Sequence, residues 1–145
     1  MAPRLLVAPA MGAVRELSCS TYSTLAITVD GRAFSWGDCD GGALGHHGTE
    51  AFDHQGSDEC HVPTQLVALR GLSVAHGAVC YTNGAAALTD GSVYTWGGAM
   101  WQGGLGGGSR EPQRVGWGGG MPPEYKCSSL ALGSWHGFLV FRRDA

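Results

Sequence analysis

Charge is scarce in this chain. Asp, Glu, Lys and Arg make up 14% of its 145 residues, and the formal net charge is −3. There is no Lys/Arg stripe, and Arg142-Arg143 is the one adjacent basic pair. Without a basic footprint, direct DNA or RNA binding is not expected. No apolar run reaches the roughly 18 residues of a membrane-crossing helix, so no partnership with a membrane is expected either. Cysteine pairs at Cys-x-x-Cys spacing are absent, and the five cysteines (19, 39, 60, 80 and 127) are an odd number. A closed disulfide framework would leave one over, so reduced thiols in a cytosolic or nuclear setting are the reading. The phosphate-binding signature G-x-x-x-x-G-K-[ST] is missing, and Gly103–Gly108 has neither the lysine nor the helical pattern after it. Helical periodicity is poor throughout.

Glycine is what the chain has in plenty: 25 of 145 residues, more than twice the ~7% of average proteins. The glycines follow no three-residue period, which excludes collagen. Many short strands joined by glycine-rich turns fit better. Met1 to Val14 has the outline of a short signal peptide, but Pro3 and Pro9 interrupt it.

An internal repeat decides the fold. Thr28-Val-Asp30-Gly31-Arg-Ala-Phe34-Ser-Trp36-Gly37 returns as Thr89-Asp90-Gly91-Ser-Val-Tyr94-Thr-Trp96-Gly97, with Asp-Gly, aromatic and Trp-Gly all offset by 60. A Gly-x-Leu-Gly follows each block, at Gly42–Gly45 and Gly103–Gly106, and a proline tail recurs at Pro3, Pro63 and Pro112. Asp-Gly between strand-like runs predicts a hairpin with a type I′ turn. Phe34 and Trp36 are two apart and share a sheet face, as do Tyr94 and Trp96. Gly37 and Gly97 let the chain turn beside a bulky indole, and the leucine of Gly-x-Leu-Gly is buried at a tight bend. Each proline opens an outer strand, where its missing N–H does no harm. The expected strands are 14–19, 23–29, 32–36, 65–69, 72–76, 84–89, 92–96, 113–116, 128–132 and 136–141. The fold class is all-β.

These residues resemble the regulator of chromosome condensation repeat, V-A-C-G-x-x-H-T-x-A-L-T-x-D-G-x-V-Y-x-W-G, whose family forms seven-bladed β-propellers. In the first copy Ser20 replaces the glycine and Ser23 the histidine; the third keeps Gly133 and His136. The second is aligned through Val74-Ala75-His76-Gly77, with about three extra residues before Asp90. The resemblance divides the chain into a tail of one repeat (1–13), a repeat with an insertion at 46–62 (14–71), a repeat (72–127) and the start of another (128–145). That is about two and a half repeats of a partial propeller. Propellers generally need four to eight blades, so a longer propeller, or self-association through exposed blade edges, is expected.

The insertion is the segment richest in chemistry: His46, His47, Asp53, His54, Asp58, Glu59, Cys60 and His61. These are zinc-ligand types without a ligand spacing, so a polar surface loop is expected and no metal site is assigned. Cys80 near His76 lacks an orienting third group and is expected to be buried or incidental. No catalytic, metal or cofactor-binding residue is assigned. Light-sensing propellers of this family use tryptophans after the glycine position, and Trp135 alone stands at such a place. Trp36 and Trp96 belong to the motif, while Trp101 and Trp117 lie in glycine-rich loops. The resemblance implies a non-enzymatic protein-interaction scaffold with a protein partner. The alternatives are a guanine-nucleotide exchange regulator of a small GTPase and the targeting propeller of a larger ubiquitin ligase.

Overall fold

The two Asp-Gly steps close two hairpins of the same shape. In the computed structural model, which describes residues 8–38, 40–46, 59–98, 109–116, 124–133 and 136–143, Gly31 N–H donates to Thr28 O and Thr28 N–H to Arg32 O. Gly91 and Leu88 repeat both bonds one copy later. Among the described residues only glycines have positive φ, 81° at Gly31 and 89° at Gly91. The type I′ expectation, which needs positive φ at the aspartates too, is therefore corrected. The turn bends through ordinary backbone and ends on a left-handed glycine, as in a bulged hairpin loop.

Around these hairpins the described residues make three antiparallel sheets. The first holds β1 (Val14–Cys19), β2 (Ser23–Thr28), β3 (Ala33–Asp38) and β4 (Glu59–Gln65); the second holds β5 (Val74–Val79), β6 (Asn83–Leu88), β7 (Val93–Gly97) and β8 (Gln113–Arg114). The third pairs β9 (Tyr125–Leu132) with β10 (Gly137–Arg143). No α-helix occurs among the described residues. Each sheet carries the same register shift in its first hairpin, at Val14/Glu16, at Val74/His76 and at Val140/Phe141.

That common register corrects the alignment of the second copy. Val14 pairs with Thr28 and Val74 with Leu88, an offset of 60 with no inserted residues. Ser20, Cys80 and Gly133 are therefore equivalent, and each donates its backbone N–H to the residue three on: Ser23, Asn83 and His136. Three strands also move, β5 running Val74–Val79 where 72–76 was expected. The segment expected as strand 65–69 is the end of β4 followed by a 3-10 turn at Val67–Leu69. Leu66 and Leu69 are three apart, a spacing that falls on one side of a 3-10 turn, and both are buried. β9 begins at Tyr125, three residues before its expected start.

Alternation along the strands then gives each sheet two apolar faces. Leu25, Ile27 and Ala33 of sheet 1 meet Val74, Val79, Ala86, Leu88 and Trp96 of sheet 2 in the main core, joined by Leu66 and Leu69. The other face of sheet 2 presents Ala87 and Val93, which with Val115 pack on Cys127, Leu130, Leu139 and Phe141. The remaining face of sheet 1, with Ala26, Phe34 and Trp36, is covered by Met11 and Ala8. Phe34 and Trp36 do share a face, and so do Tyr94 and Trp96; each pair points back toward the preceding part of the chain.

Candidate interaction surface

The Trp-Gly motif builds one end of the sheets. A Cβ on Gly37 would lie 2.2 Å from Tyr22 O, and one on Gly97 2.1 Å from Thr82 O. The glycines therefore admit the neighbouring hairpin turn, and the contact they relieve is with its carbonyl rather than with the indole expected from sequence. In exchange, Asp38 N–H donates to Tyr22 O at 2.9 Å and Gly98 N–H to Thr82 O at 3.0 Å. Both turns are thereby pinned by backbone bonds.

The Gly-x-Leu-Gly segment of sheet 1 reaches across to sheet 2 at this same end. Leu44 is fully buried, its carbonyl accepts from Ser35 Oγ at 2.6 Å, and Gly41 lies against Thr82. Trp96 donates its Nε1–H to Ala43 O at 2.8 Å. Gly45 and Gly84 make room for the indole, since a Cβ would stand 2.9 Å and 2.2 Å from it.

On the two pinned turns stand Tyr22 and Tyr81, 58% and 46% exposed. Their rings lie 6.0 Å apart between centroids, tilted by 56°. The two are not repeat-equivalent, because Thr82 occupies the place of Tyr22 and Thr21 that of Tyr81. Packing of the repeats therefore does not account for the pair. Sequence reasoning missed it: the residues are 59 apart, and only the stacking of two sheets brings their turns together.

The residues singled out from sequence lie elsewhere. His47, Asp53, His54 and Asp58 of the insertion, and Trp101, Trp117 and Trp135, are outside the described residues. Cys60 is buried at the start of β4, with Sγ 3.2 Å from Val62 O and from Thr64 Oγ1. Among the described residues no group of three or more His, Cys, Asp or Glu side chains is arranged to hold a metal. Cys80 is buried, and His76 is directed to Glu16, Nδ1 to Oε2 at 3.2 Å. No described helix is long and apolar enough to cross a membrane.

Comparison with known proteins agrees with this architecture. The family model of the regulator of chromosome condensation (RCC1) repeat matches residues 30–86. The E3 ubiquitin-protein ligase HERC2 of Homo sapiens is 38% identical over 98 residues, 66% of this chain and 2% of HERC2. The crystal structure of Prp20p from Saccharomyces cerevisiae superposes with a TM-score of 0.78 at 18% identity, covering 97% of this chain and 33% of Prp20p.

The chain belongs to the RCC1 repeat family.

The ultraviolet-B receptor UVR8 of Arabidopsis thaliana is 32% identical over 131 residues, which is 88% of this chain and 27% of UVR8. The chain thus spans about a third or less of each of these relatives. Its RCC1 repeats carry a fold of antiparallel propeller sheets. They also explain why Asp-Gly and Trp-Gly recur, since each is consumed in turn geometry, and Gly42–Gly45 is consumed in the seam between sheets, its second copy at Gly103–Gly106 being outside the described residues.

Proposed function

We propose that this RCC1-repeat chain is a non-enzymatic protein-interaction scaffold, and that its partner docks on the loop end around Tyr22 and Tyr81. The observation that carries this reading is the exposed tyrosine pair on two turns held by backbone hydrogen bonds. Tyrosine offers a large, rigid contact area with a polar tip, and aromatic residues are enriched at the buried centres of protein interfaces. Loops on a rigid β scaffold are the usual place for such contacts. The repeats that frame the site divide the chain at 1–13, 14–71, 72–127 and 128–145.

Quantitative proximity labelling tests this. The protein partners of the wild type should be lost from Tyr22→Ser/Tyr81→Ser and retained by Val62→Ser, a control on the exposed side of β4. An unchanged partner set in the double variant would remove the proposal.

A second reading is regulation of guanine-nucleotide exchange on a small GTPase. It is supported by the likeness to Prp20p, whose structure was reported with its binding properties to Gsp1p and histones. A nucleotide-release assay separates the two: no acceleration with any candidate GTPase leaves the scaffold reading alone. Service as the targeting propeller of a larger ubiquitin ligase rests on the likeness to HERC2. A ligase domain in the same polypeptide would place that reading first.

A further inference from the structure

The end of the sheets that carries the tyrosine pair is also where the acidic residues of the chain gather. Residues 38–59 hold six of the twelve Asp and Glu residues (Asp38, Asp40, Glu50, Asp53, Asp58 and Glu59) and none of the nine Lys and Arg. Both ends of that segment are fixed beside the Tyr22 turn. Asp38 N–H donates to Tyr22 O at 2.9 Å, and the register of β3 and β4 sets Glu59 opposite Asp38. Like charges directly opposite on neighbouring strands destabilise the pair, a local cost that a nearby cation relieves. Arg110 and Glu111 follow Ser109, whose carbonyl accepts from Gly97 N–H at this same end, and their charges offset each other. At the other end of the sheets the sign reverses. Arg32 and Arg114 bond at the two Asp-Gly turns, to Asp30 and to Ser92 Oγ, and Lys126 lies against Gly91. The exposed rings of Tyr22 and Tyr81 thus stand at the acidic end. The two observations are independent: the ring pair comes from the packing of two turns, the charge from the connection between β3 and β4.

We propose that the partner segment seated on Tyr22 and Tyr81 is basic, and that an arginine of that segment stacks on their rings. This rests on the scaffold reading above and names the chemistry of its partner. The face of an aromatic ring is negative, so a guanidinium over it is attracted by the ring quadrupole. Arginine adds planar stacking that the compact ammonium of lysine lacks. Carboxylates beside the rings draw in a basic segment and turn away acidic ones, phosphate-bearing partners included. An uncharged apolar segment would use the rings alone and draw nothing from the charge around them. Charge complementarity therefore selects the occupant, and the tyrosine pair gives it a place to dock. Both tyrosines stand on turns between strands of complete sheets, Tyr22 between β1 and β2 and Tyr81 between β5 and β6.

Fluorescence anisotropy on the whole chain tests it, with short labelled Gly/Ser peptides that carry spaced arginines, citrullines or glutamates. Citrulline keeps the planar shape of arginine without its charge. The arginine probe should bind, and bind less as salt rises; the citrulline probe should bind at least about tenfold more weakly, and the glutamate probe more weakly still. Tyr22→Phe/Tyr81→Phe keeps both ring faces and should hold the arginine affinity within about twofold, whereas Tyr22→Leu/Tyr81→Leu should lose about tenfold. Asp38→Asn should weaken binding and flatten its salt dependence. No binding of the arginine probe, equal binding of the citrulline probe, or equal losses in the Phe and Leu variants would overturn the proposal. Proximity labelling keeps this failure apart from failure of the scaffold reading. Partners lost from Tyr22→Ser/Tyr81→Ser without any preference for arginine would leave the docking site and remove its basic partner. An unchanged partner set with the arginine preference intact would remove the scaffold reading instead.

Discussion

The seam between sheets 1 and 2 and the seam between sheets 2 and 3 use the same backbone and fill it differently. The first is built from large residues: Leu25, Ile27, Leu66, Leu69, Leu88 and Trp96. It is also tied by side chains of β1 that reach the backbone of β5. Arg15 donates to Val74 O at 3.1 Å, Glu16 Oε1 accepts from Gly77 N–H at 3.2 Å, and Ser18 Oγ accepts from Val79 N–H at 3.0 Å. In the second seam, sheet 2 contributes Ala85, Ala87 and Val93 at the places of Leu25, Ile27 and Ala33. Ala75 and Ala78 replace Arg15 and Ser18, and His76, in the place of Glu16, is turned back onto Glu16. The repeat thus prescribes where sheets meet, while cohesion is set position by position. The 1–2 seam is the strong one, and sheet 3 is held by less.

The largest test of that contrast lies at the two motif tryptophans. Trp96 is 2% exposed in the 1–2 seam and bonded to Ala43 O. Trp96→Ala should cost about 3–5 kcal/mol in urea denaturation, the usual range for losing a buried tryptophan. Trp36, its repeat equivalent, is half-buried on the face covered by Met11. Trp36→Ala should cost roughly 1–2 kcal/mol, in keeping with partial burial. The two indoles cannot lie alike. Thr24 stands at the place of Gly84, where any Cβ would meet the Trp96 ring at 2.2 Å. Equal losses from the two variants would mean that the motif, not its surroundings, sets the contribution.

Much of this architecture was legible in the chain. The 60-residue offset of Asp-Gly and Trp-Gly placed the hairpins, because turns demand particular residues. Of the prolines expected to open outer strands, Pro112 directly precedes β8, Pro63 lies inside β4, which begins four residues earlier at Glu59, and Pro3 is outside the described residues. The second copy misled for a physical reason. Its turn uses Cys80 and Asn83, where the third uses Gly133 and His136, so alignment by glycine slid onto Gly77. Gly77 is required for a different purpose, since a Cβ there would lie 2.8 Å from Leu25 across the seam. The Leu66/Leu69 spacing read as strand for want of any local signal separating a strand end from a 3-10 turn. The tyrosine pair was illegible, because it depends on which sheet stands beside which.

A middle-sized test uses matched thiols in the two seams. Cys127 and Val74 are register equivalents, paired with Phe141 and Leu88 at the same bulge. Cys127 is buried in the 2–3 seam, and burial raises its thiol pKa, so labelling near neutral pH requires the seam to open. Val74→Cys, at a site 1% exposed, reports opening of the 1–2 seam. Disulfide-exchange labelling should modify Cys127 at least about tenfold faster, ~1.4 kcal/mol in opening free energy. Exposed Cys19 should react first in both proteins. If Val74→Cys labels as fast as Cys127, the seams open together and the contrast in cohesion fails.

The smallest effect isolates one polar tie. Ser18→Ala removes the acceptor of Val79 N–H, leaving a seam donor without its side-chain partner. The expected cost is about 1 kcal/mol, the net worth of a typical hydrogen bond. Ser128→Ala also deletes a hydroxyl bond, Oγ to Val140 O at 3.2 Å, but that bond is exposed and lies within sheet 3. Away from a seam such a change should stay within about 0.5 kcal/mol. Hydrogen exchange locates the difference, since the Val79 amide should lose protection in Ser18→Ala by more than the global loss of stability. If Val79 keeps its protection relative to its neighbours, the bond is incidental, and the strength of the 1–2 seam lies in its apolar side chains alone.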